Sequence, residues 1–123
     1  MSQHDFEIAS QTSANFRTDT SSGLQALASS SSGASEPGTT YAGQIWNDTN
    51  NNLLKIRNDS NSDWITLGEI DQTNTRFHPV IGDWKILLSS TSLVFQCNGD
   101  SKAKLDNAGN LSVTGNLQGF QTL

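Results

Sequence analysis

The sequence predicts a mainly β protein with one short N-terminal helix. Short apolar runs alternate with polar residues through the second half of the chain, and clusters of Asn, Asp and Gly separate them. Ser, Thr and Asn supply 41 of the 123 residues, and hydrophobic residues make up only 33%. A typical domain has about 45–50% apolar residues. We therefore expect a thin core that oligomerisation completes.

Charge and composition argue against several classes of function. The net charge is only -5, and three Trp and five Phe favour an ordered chain over a disordered one. The seven basic residues are scattered, which argues against a nucleic-acid partner. No apolar run approaches the roughly 20 residues of a membrane span, so no membrane insertion is expected. The N-terminus lacks the pattern of a signal peptide, which predicts synthesis in a cytoplasm without export.

The N-terminal 1–29 segment is predicted to be an arm followed by a helix. The alternation of Phe6, Glu7 and Ile8 favours a short strand or an extended arm. Ser13 is a candidate N-cap. Three apolar residues fall on one side of the helix that follows: Phe16, Leu24 and Leu27. Residues 30–40 are rich in Ser and Gly and predict a linker or loop.

Residues 41–68 predict a small three-stranded β meander, with strands at about 43–47, 53–58 and 63–68. Residues 48–52 and 58–62 are Asn- and Asp-rich and would form the turns. We expect one face to carry Trp46, Leu54, Ile56 and Trp64, and the other to carry Ile45, Leu53, Ile65 and Leu67. Both faces would then need a partner surface. Residues 69–83 are predicted to be a connection.

Residues 84–123 predict C-terminal β hairpins whose register the apolar residues define. A three-residue loop at 98–100 would pair Phe95 with Ala103 and Leu93 with Leu105, which matches apolar faces better than a two-residue turn. A second loop at 107–109 would extend the pairing to Leu111 and Val113. The resulting stripe is too small to form a core alone, so copies of the chain are expected to pack about an axis.

Candidate chemical motifs have simpler structural interpretations, and no catalytic, cofactor or metal site is predicted. His4 and His78 lack an accompanying nucleophile. Residues 48–52 match the start of a calcium loop, but Leu53 stands where that loop requires Gly. Cys97, the single cysteine, lies on the apolar stripe and is expected to be buried.

Three blocks of the sequence resemble parts of bacteriophage fibre proteins. Residues 1–6 and 15–19 resemble the N-terminal, adaptor-type region of tail-fibre or head-fibre virion proteins of short-tailed phages, including marine and cyanobacterial phages. Residues 39–49, 53–58 and 64–68 resemble a small β module of those proteins, and this block is the most specific. Residues 105–117 are similar to repeats of phage fibre shafts. The resemblance covers roughly 70 of the 123 residues.

The resemblance implies an intertwined, fibre-like homotrimer whose N-terminus attaches to other virion proteins of the tail, the portal region or the capsid, assembled in the host cytoplasm. Attachment would use Phe6, Ile8, Phe16, Leu24 and Leu27. The oligomer interface or core would comprise Trp46, Leu54, Ile56, Trp64, Leu93, Phe95, Ala103, Leu105, Leu111 and Val113. Many fibre proteins continue into a distal receptor-binding region, whereas this sequence stops at Leu123. That departure favours an adaptor or a short tail or head fibre.

Two alternatives belong to other functional classes. A capsid-surface decoration protein would differ from a fibre or adaptor only in the part of the particle to which its N-terminus binds. A carbohydrate-binding module would use Trp46 and Trp64 as a stacking pair, which requires exposed and roughly coplanar rings. An enzyme such as a polysaccharide depolymerase is disfavoured, because the sequence shows no acid/base pair of carboxylates.

Overall fold

The computed structural model describes residues 3–116 and has one helix and eight strands. In chain order they are α1 (Ser13–Ala28), β1 (Ile45–Asp48), β2 (Leu53–Arg57), β3 (Trp64–Asp71), β4 (Arg76–Ile81), β5 (Trp84–Ser89), β6 (Ser92–Cys97), β7 (Asp100–Leu105) and β8 (Leu111–Val113). Each strand pairs antiparallel with the next, so the sheet is an open meander in sequence order. The prediction of a mainly β chain with a short helix is confirmed. The end of the predicted C-terminal unit, 117–123, lies outside the described residues.

The helix begins one residue earlier than the predicted cap implies. Thr12, not Ser13, is the N-cap, and its side-chain oxygen accepts a hydrogen bond from the Asn15 N–H. Ala26 is the buried residue of α1, because its side of the helix faces the N-terminal arm and the chain after the helix. The stripe of Phe16, Leu24 and Leu27 is exposed. No helix in the described part of the chain is long and apolar enough to cross a membrane.

Residues 30–40 contain no helix or strand, but they are not a free linker. Gly33 forms a parallel bridge to Asp48, and its N–H donates to the Asn47 carbonyl oxygen. Ser31 and Gly33 are buried. A Ser- and Gly-rich segment has little apolar area of its own, so backbone hydrogen bonds to the edge of β1 hold it in place. We call residues 31–36 the strap.

The register of the meander differs from the prediction by one residue. Asp48 belongs to β1 and pairs with Leu53, which leaves a loop of residues 49–52. A shift of one residue moves every side chain of a strand to the opposite face. Trp46 therefore pairs with Lys55, and Leu54 and Ile56 lie on the opposite face from both tryptophans. The predicted shared face of Trp46, Leu54, Ile56 and Trp64 was wrong for that reason.

The predicted connection at 69–83 also contains sheet. β3 continues to Asp71, and β4 occupies most of the remainder. Sequence reasoning passed over β4 because Pro79 cannot donate to a β ladder. Pro79 pairs with Gly68, where a Cβ would overlap the Phe77 ring and lie 2.8 Å from the His78 carbonyl oxygen, so only Gly permits this close approach.

The register of the C-terminal hairpins is confirmed. Leu93 pairs with Leu105, Phe95 with Ala103, and Ala103 in turn with Val113. The way this register arises differs from the prediction. Asn98 and Gly99 form a two-residue turn with positive φ, and a bulge at residue 102 supplies the extra residue.

Candidate assembly surface

The C-terminal strands place their large apolar side chains on one side of the sheet. Residues paired across an antiparallel sheet point to the same side, so the register defines two rows that cross β5 to β8. We call these two rows the apolar face; it comprises Ile86, Phe95, Ala103 and Val113 in one row, and Leu88, Leu93, Leu105 and Leu111 in the other. Every position in both rows is apolar.

Nothing in the described chain covers the apolar face. Leu93 is 38% exposed, Leu105 42% and Leu111 58%. Each strand packs substantially against its sequence neighbours in the sheet, and α1 meets the sheet only at the edge of β1, so the C-terminal part of the sheet is a single layer over the described residues. Exposed apolar surface of this extent is typical of an interaction site.

The total accessible surface area of the chain is also larger than that of a typical folded monomer of its mass. The chain exposes 8450 Å², whereas a folded monomer of its mass exposes about 6,500 Å². The surplus of about 2,000 Å² is comparable with two standard interfaces of about 800 Å² per partner. The chain therefore exposes more surface than a compact monomer of its mass.

The opposite side of the C-terminal sheet is polar. Its rows carry Lys85, Gln96 and Lys104, with two apolar residues among them, Leu87 and the buried Val94. The Lys85 Nζ donates to Glu69 Oε2 at 2.8 Å. This ion pair, with a smaller contribution from His78, holds the pKa of the Glu69 carboxyl below its ordinary value. The two rows of the apolar face, by contrast, carry no polar residue.

The tryptophan pair of the meander is covered by its own chain. Trp46 is 6% exposed, and its indole N–H donates to the Gly33 carbonyl oxygen. The Trp64 indole N–H donates to the Glu36 carboxylate at 2.8 Å. The two rings are tilted by 58°. A sugar-stacking platform needs exposed, roughly coplanar rings, and this geometry does not supply one.

A buried carboxylate stands beside the tryptophan pair. Asp48 is fully buried and accepts a 2.8 Å hydrogen bond from Lys55, whose ammonium group also lies 4.4 Å from the centre of the Trp46 ring. Burial alone raises the pKa of Asp48, but hydrogen bonds from Lys55 and Asn51 outweigh burial and hold that pKa below its ordinary value. The Asn50 and Asn51 N–H groups also donate to Asp48 and close the β1–β2 loop.

The predicted attachment residues do not form one surface. Phe6 and Leu27 line an apolar groove of about 480 Å³, together with Ala26, Tyr41 and Ile45. Ile8, Phe16 and Leu24 are exposed outside it. The groove lies between the end of α1, the N-terminal arm and the chain that enters β1.

The structure brings together most of the predicted interface residues. All of those in β6, β7 and β8 lie on the apolar face. In the meander, Ile56 lies between Ile45 and Ile65 on the side away from the tryptophans. Sequence reasoning missed Ile86 and Leu88, although the alternation in the β5 sequence, Trp-Lys-Ile-Leu-Leu, is the signal that identifies them.

The described residues offer no cluster of three or more His, Cys, Asp or Glu side chains that could hold a metal ion. Comparisons of the chain with protein-family models, curated proteins and solved structures found no match.

Proposed function

We propose that this chain is a structural subunit of a bacteriophage particle, a fibre or fibre adaptor, that assembles as a homotrimer through the apolar face. The observation that carries the proposal is the pair of uninterrupted apolar rows across four strands, left uncovered by the rest of the described chain. Three copies packed about an axis would remove these rows from water, and apolar burial stabilises an assembly by about 25 cal/mol per Å².

We prefer the trimer over a dimer because the sequence resemblance to phage fibre proteins implies a homotrimer, in which each copy contacts two neighbours. The sequence resemblance to phage fibre proteins supports a location on the particle, with the N-terminal segment directed to another virion protein of the tail, portal region or capsid. An arrangement in which three sheets enclose one axis also suits a fibre.

The oligomeric state is tested by light scattering on purified protein at micromolar concentration. The expected mass is about three times the 13.3 kDa of one chain. The double variant Leu93→Asp/Leu105→Asp should run as a monomer, because six carboxylates would meet at the axis of a trimer. The matched control is Phe16→Asp/Leu24→Asp, which introduces the same two charges on the exposed stripe of α1 and should leave the mass unchanged. A monomeric parent protein would contradict the proposal.

The location is tested by gold-labelled antibodies against the chain on purified phage particles. Label at the tail or at one head vertex supports a fibre or adaptor. Label spread evenly over the capsid favours the decoration protein, which is the second candidate because its sequence and assembly would be the same. Absence of the chain from purified particles, measured by mass spectrometry, would exclude both.

A further inference from the structure

The groove beside the N-terminal arm has the size and lining of a binding site. Its volume of about 480 Å³ falls within the range of about 300–1,000 Å³ typical of ligand pockets. Phe6 and Tyr41 supply aromatic walls, and Ala26, Leu27 and Ile45 supply aliphatic ones. The groove lies on the opposite part of the chain from the apolar face, so trimer formation through that face does not require it.

The Phe6 wall is held in a strained backbone conformation. Phe6 has a φ of 62°, a left-handed conformation that costs a residue with a side chain about 1–2 kcal/mol. The Phe6 N–H donates to His4 Nδ1 at 2.7 Å, so His4 Nε2 carries the proton that is donated to Asp19 at 2.7 Å. The Tyr41 hydroxyl donates to the Asp5 carbonyl oxygen at 2.6 Å. Strain that is maintained by several neighbouring contacts is a feature of binding sites that are formed before the ligand arrives.

The surroundings of the groove are acidic. Residues 3–44 contain four acidic residues and one basic residue, Arg17. Asp5 and Glu7 flank Phe6 in the arm, and both are exposed. The Asp19 carboxylate is not available to a partner, because its two oxygens accept hydrogen bonds from His4 and Gln11. Asp5 and Glu7 flank Phe6 beside the groove rather than lining it, and both are exposed to a cationic partner; Asp5 Oδ1 also accepts the Glu7 N–H at 3.0 Å.

We propose that the groove binds a segment of another virion protein that presents a bulky apolar side chain flanked by Lys or Arg. The apolar side chain enters the groove against Phe6 and Tyr41, and the basic residues pair with Asp5 and Glu7. The inference rests on the proposed attachment of the N-terminus to the particle, and it adds the chemistry of the partner. It also divides the predicted attachment residues into two groups. Phe6 and Leu27 contact the partner within the groove, whereas Ile8, Phe16 and Leu24 lie outside it.

Three fluorescein-labelled peptides test the proposal by fluorescence anisotropy with the full chain. The first has a central Leu-Phe pair flanked by Lys, the second replaces each Lys with Glu, and the third keeps the Lys but replaces Leu-Phe with Gly-Gly. We expect the first peptide to bind about three- to tenfold more tightly than the second at low salt, since each exposed ion pair contributes about 0.2–1 kcal/mol. High salt should remove that difference. The third peptide should bind more weakly than the first at every salt concentration.

Two variants locate the binding. Ala42→Trp fills the groove from an exposed lining position and should abolish binding of the first peptide. Asp5→Asn/Glu7→Gln should weaken it about three- to tenfold. Asp59→Asn/Asp83→Asn removes the same charge from exposed turns elsewhere and should have no effect.

Four results would overturn the proposal: no binding by any peptide at millimolar concentration, equal binding of the Lys and Glu peptides, equal binding of the Gly-Gly peptide, or undiminished binding to Ala42→Trp. A lower oligomer mass for Ala42→Trp would show that a second copy occupies the groove, which also overturns it. The mass of the parent protein and its location on particles are measured separately. A failure of the groove proposal is therefore distinguishable from a failure of the proposed function.

Discussion

The two halves of the sheet treat their large apolar side chains differently. In the meander the strap lies over the tryptophan pair, and Trp46 is 6% exposed. In the C-terminal half the apolar face has no such cover, and Leu111 is 58% exposed. Both halves are made of short antiparallel strands with polar turns. The difference shows that the meander covers part of its own apolar surface, whereas the C-terminal hairpins leave theirs exposed over the described residues.

The cause of this difference is the length of chain between elements. About sixteen residues separate the end of α1 from β1, which is enough to cross the meander and form backbone hydrogen bonds with its edge. The C-terminal strands are joined by loops of two to five residues. Loops that short can only reverse the chain, so none of these loops can fold back over the apolar face.

Truncation of one aromatic residue in each half should give the largest contrast. Trp46→Ala should lower the free energy of unfolding by about 3–5 kcal/mol, because the cavity forms inside a single chain. The loss should be independent of protein concentration. Phe95→Ala should lower stability in proportion to the assembled fraction, so its effect should grow with concentration. Urea unfolding at two concentrations, followed by fluorescence and circular dichroism, measures both. A concentration-independent loss for Phe95→Ala would show that one chain already buries that ring.

The loops that begin with Asp48 and Asp71 provide a second comparison. Each carboxylate accepts two backbone N–H groups and one Asn side chain. Asp48 is buried and paired with Lys55, whereas the loop around Asp71 is exposed. Asp48→Ala should lower the free energy of unfolding by about 3 kcal/mol. It leaves the Lys55 ammonium group without its partner on the side of the meander that the strap covers. Asp71→Ala should cost about 1 kcal/mol. Equal losses in thermal unfolding would mean that the turn, and not the buried ion pair, supplies the stability.

Acid should weaken the chain through carboxylates that lie away from the apolar face. Hydrogen bonds from Asn74 lower the pKa of Asp71, and hydrogen bonds from Lys85 and His78 lower the pKa of Glu69. A carboxyl whose pKa is lower in the folded state contributes stability that is present above its unfolded pKa of about 4 and is lost as the pH falls through the folded pKa. We expect the free energy of unfolding to be constant from about pH 7 to 5 and to fall below about pH 4.

The apolar face has no titratable side chain in its two rows. The association constant, corrected for the folded fraction, should therefore stay constant while stability falls. Sedimentation equilibrium between pH 7 and the start of acid unfolding measures this constant. A steep change in association above about pH 4.5 would place a carboxylate in the interface.

Local sequence signals determined the C-terminal register because Leu93 and Phe95, like Ala103 and Leu105, alternate with polar or smaller residues, and only one pairing of these four matches apolar residues. The meander lacks that redundancy. Both of its faces carry large apolar residues, so a shift of one residue at Asp48 leaves the pattern equally apolar. The strap was beyond sequence reasoning for another reason. Backbone hydrogen bonds, which any sequence can form and which leave no mark on composition, join it to β1, and single hydrogen bonds from the two indole N–H groups join it to the tryptophans.

A glycine in the last described turn should give the smallest effect, and it tests the outer end of the apolar face. Gly109 has a φ of 85°, and the turn it completes sets the pairing of Leu105 with Leu111. Gly109→Ala should cost about 1 kcal/mol, because a Cβ is strained in the left-handed region although nothing crowds it. Gly38→Ala is the matched control, since it also meets open space but has no positive φ, and it should be nearly neutral.

Because Asp106 accepts the Ala108 and Asn110 N–H groups as well as the Asn110 side chain, the strained turn should keep its register. The oligomer mass of Gly109→Ala should thus equal that of the parent, and a lower mass would show that this turn, and not the rows themselves, determines whether the apolar face can assemble.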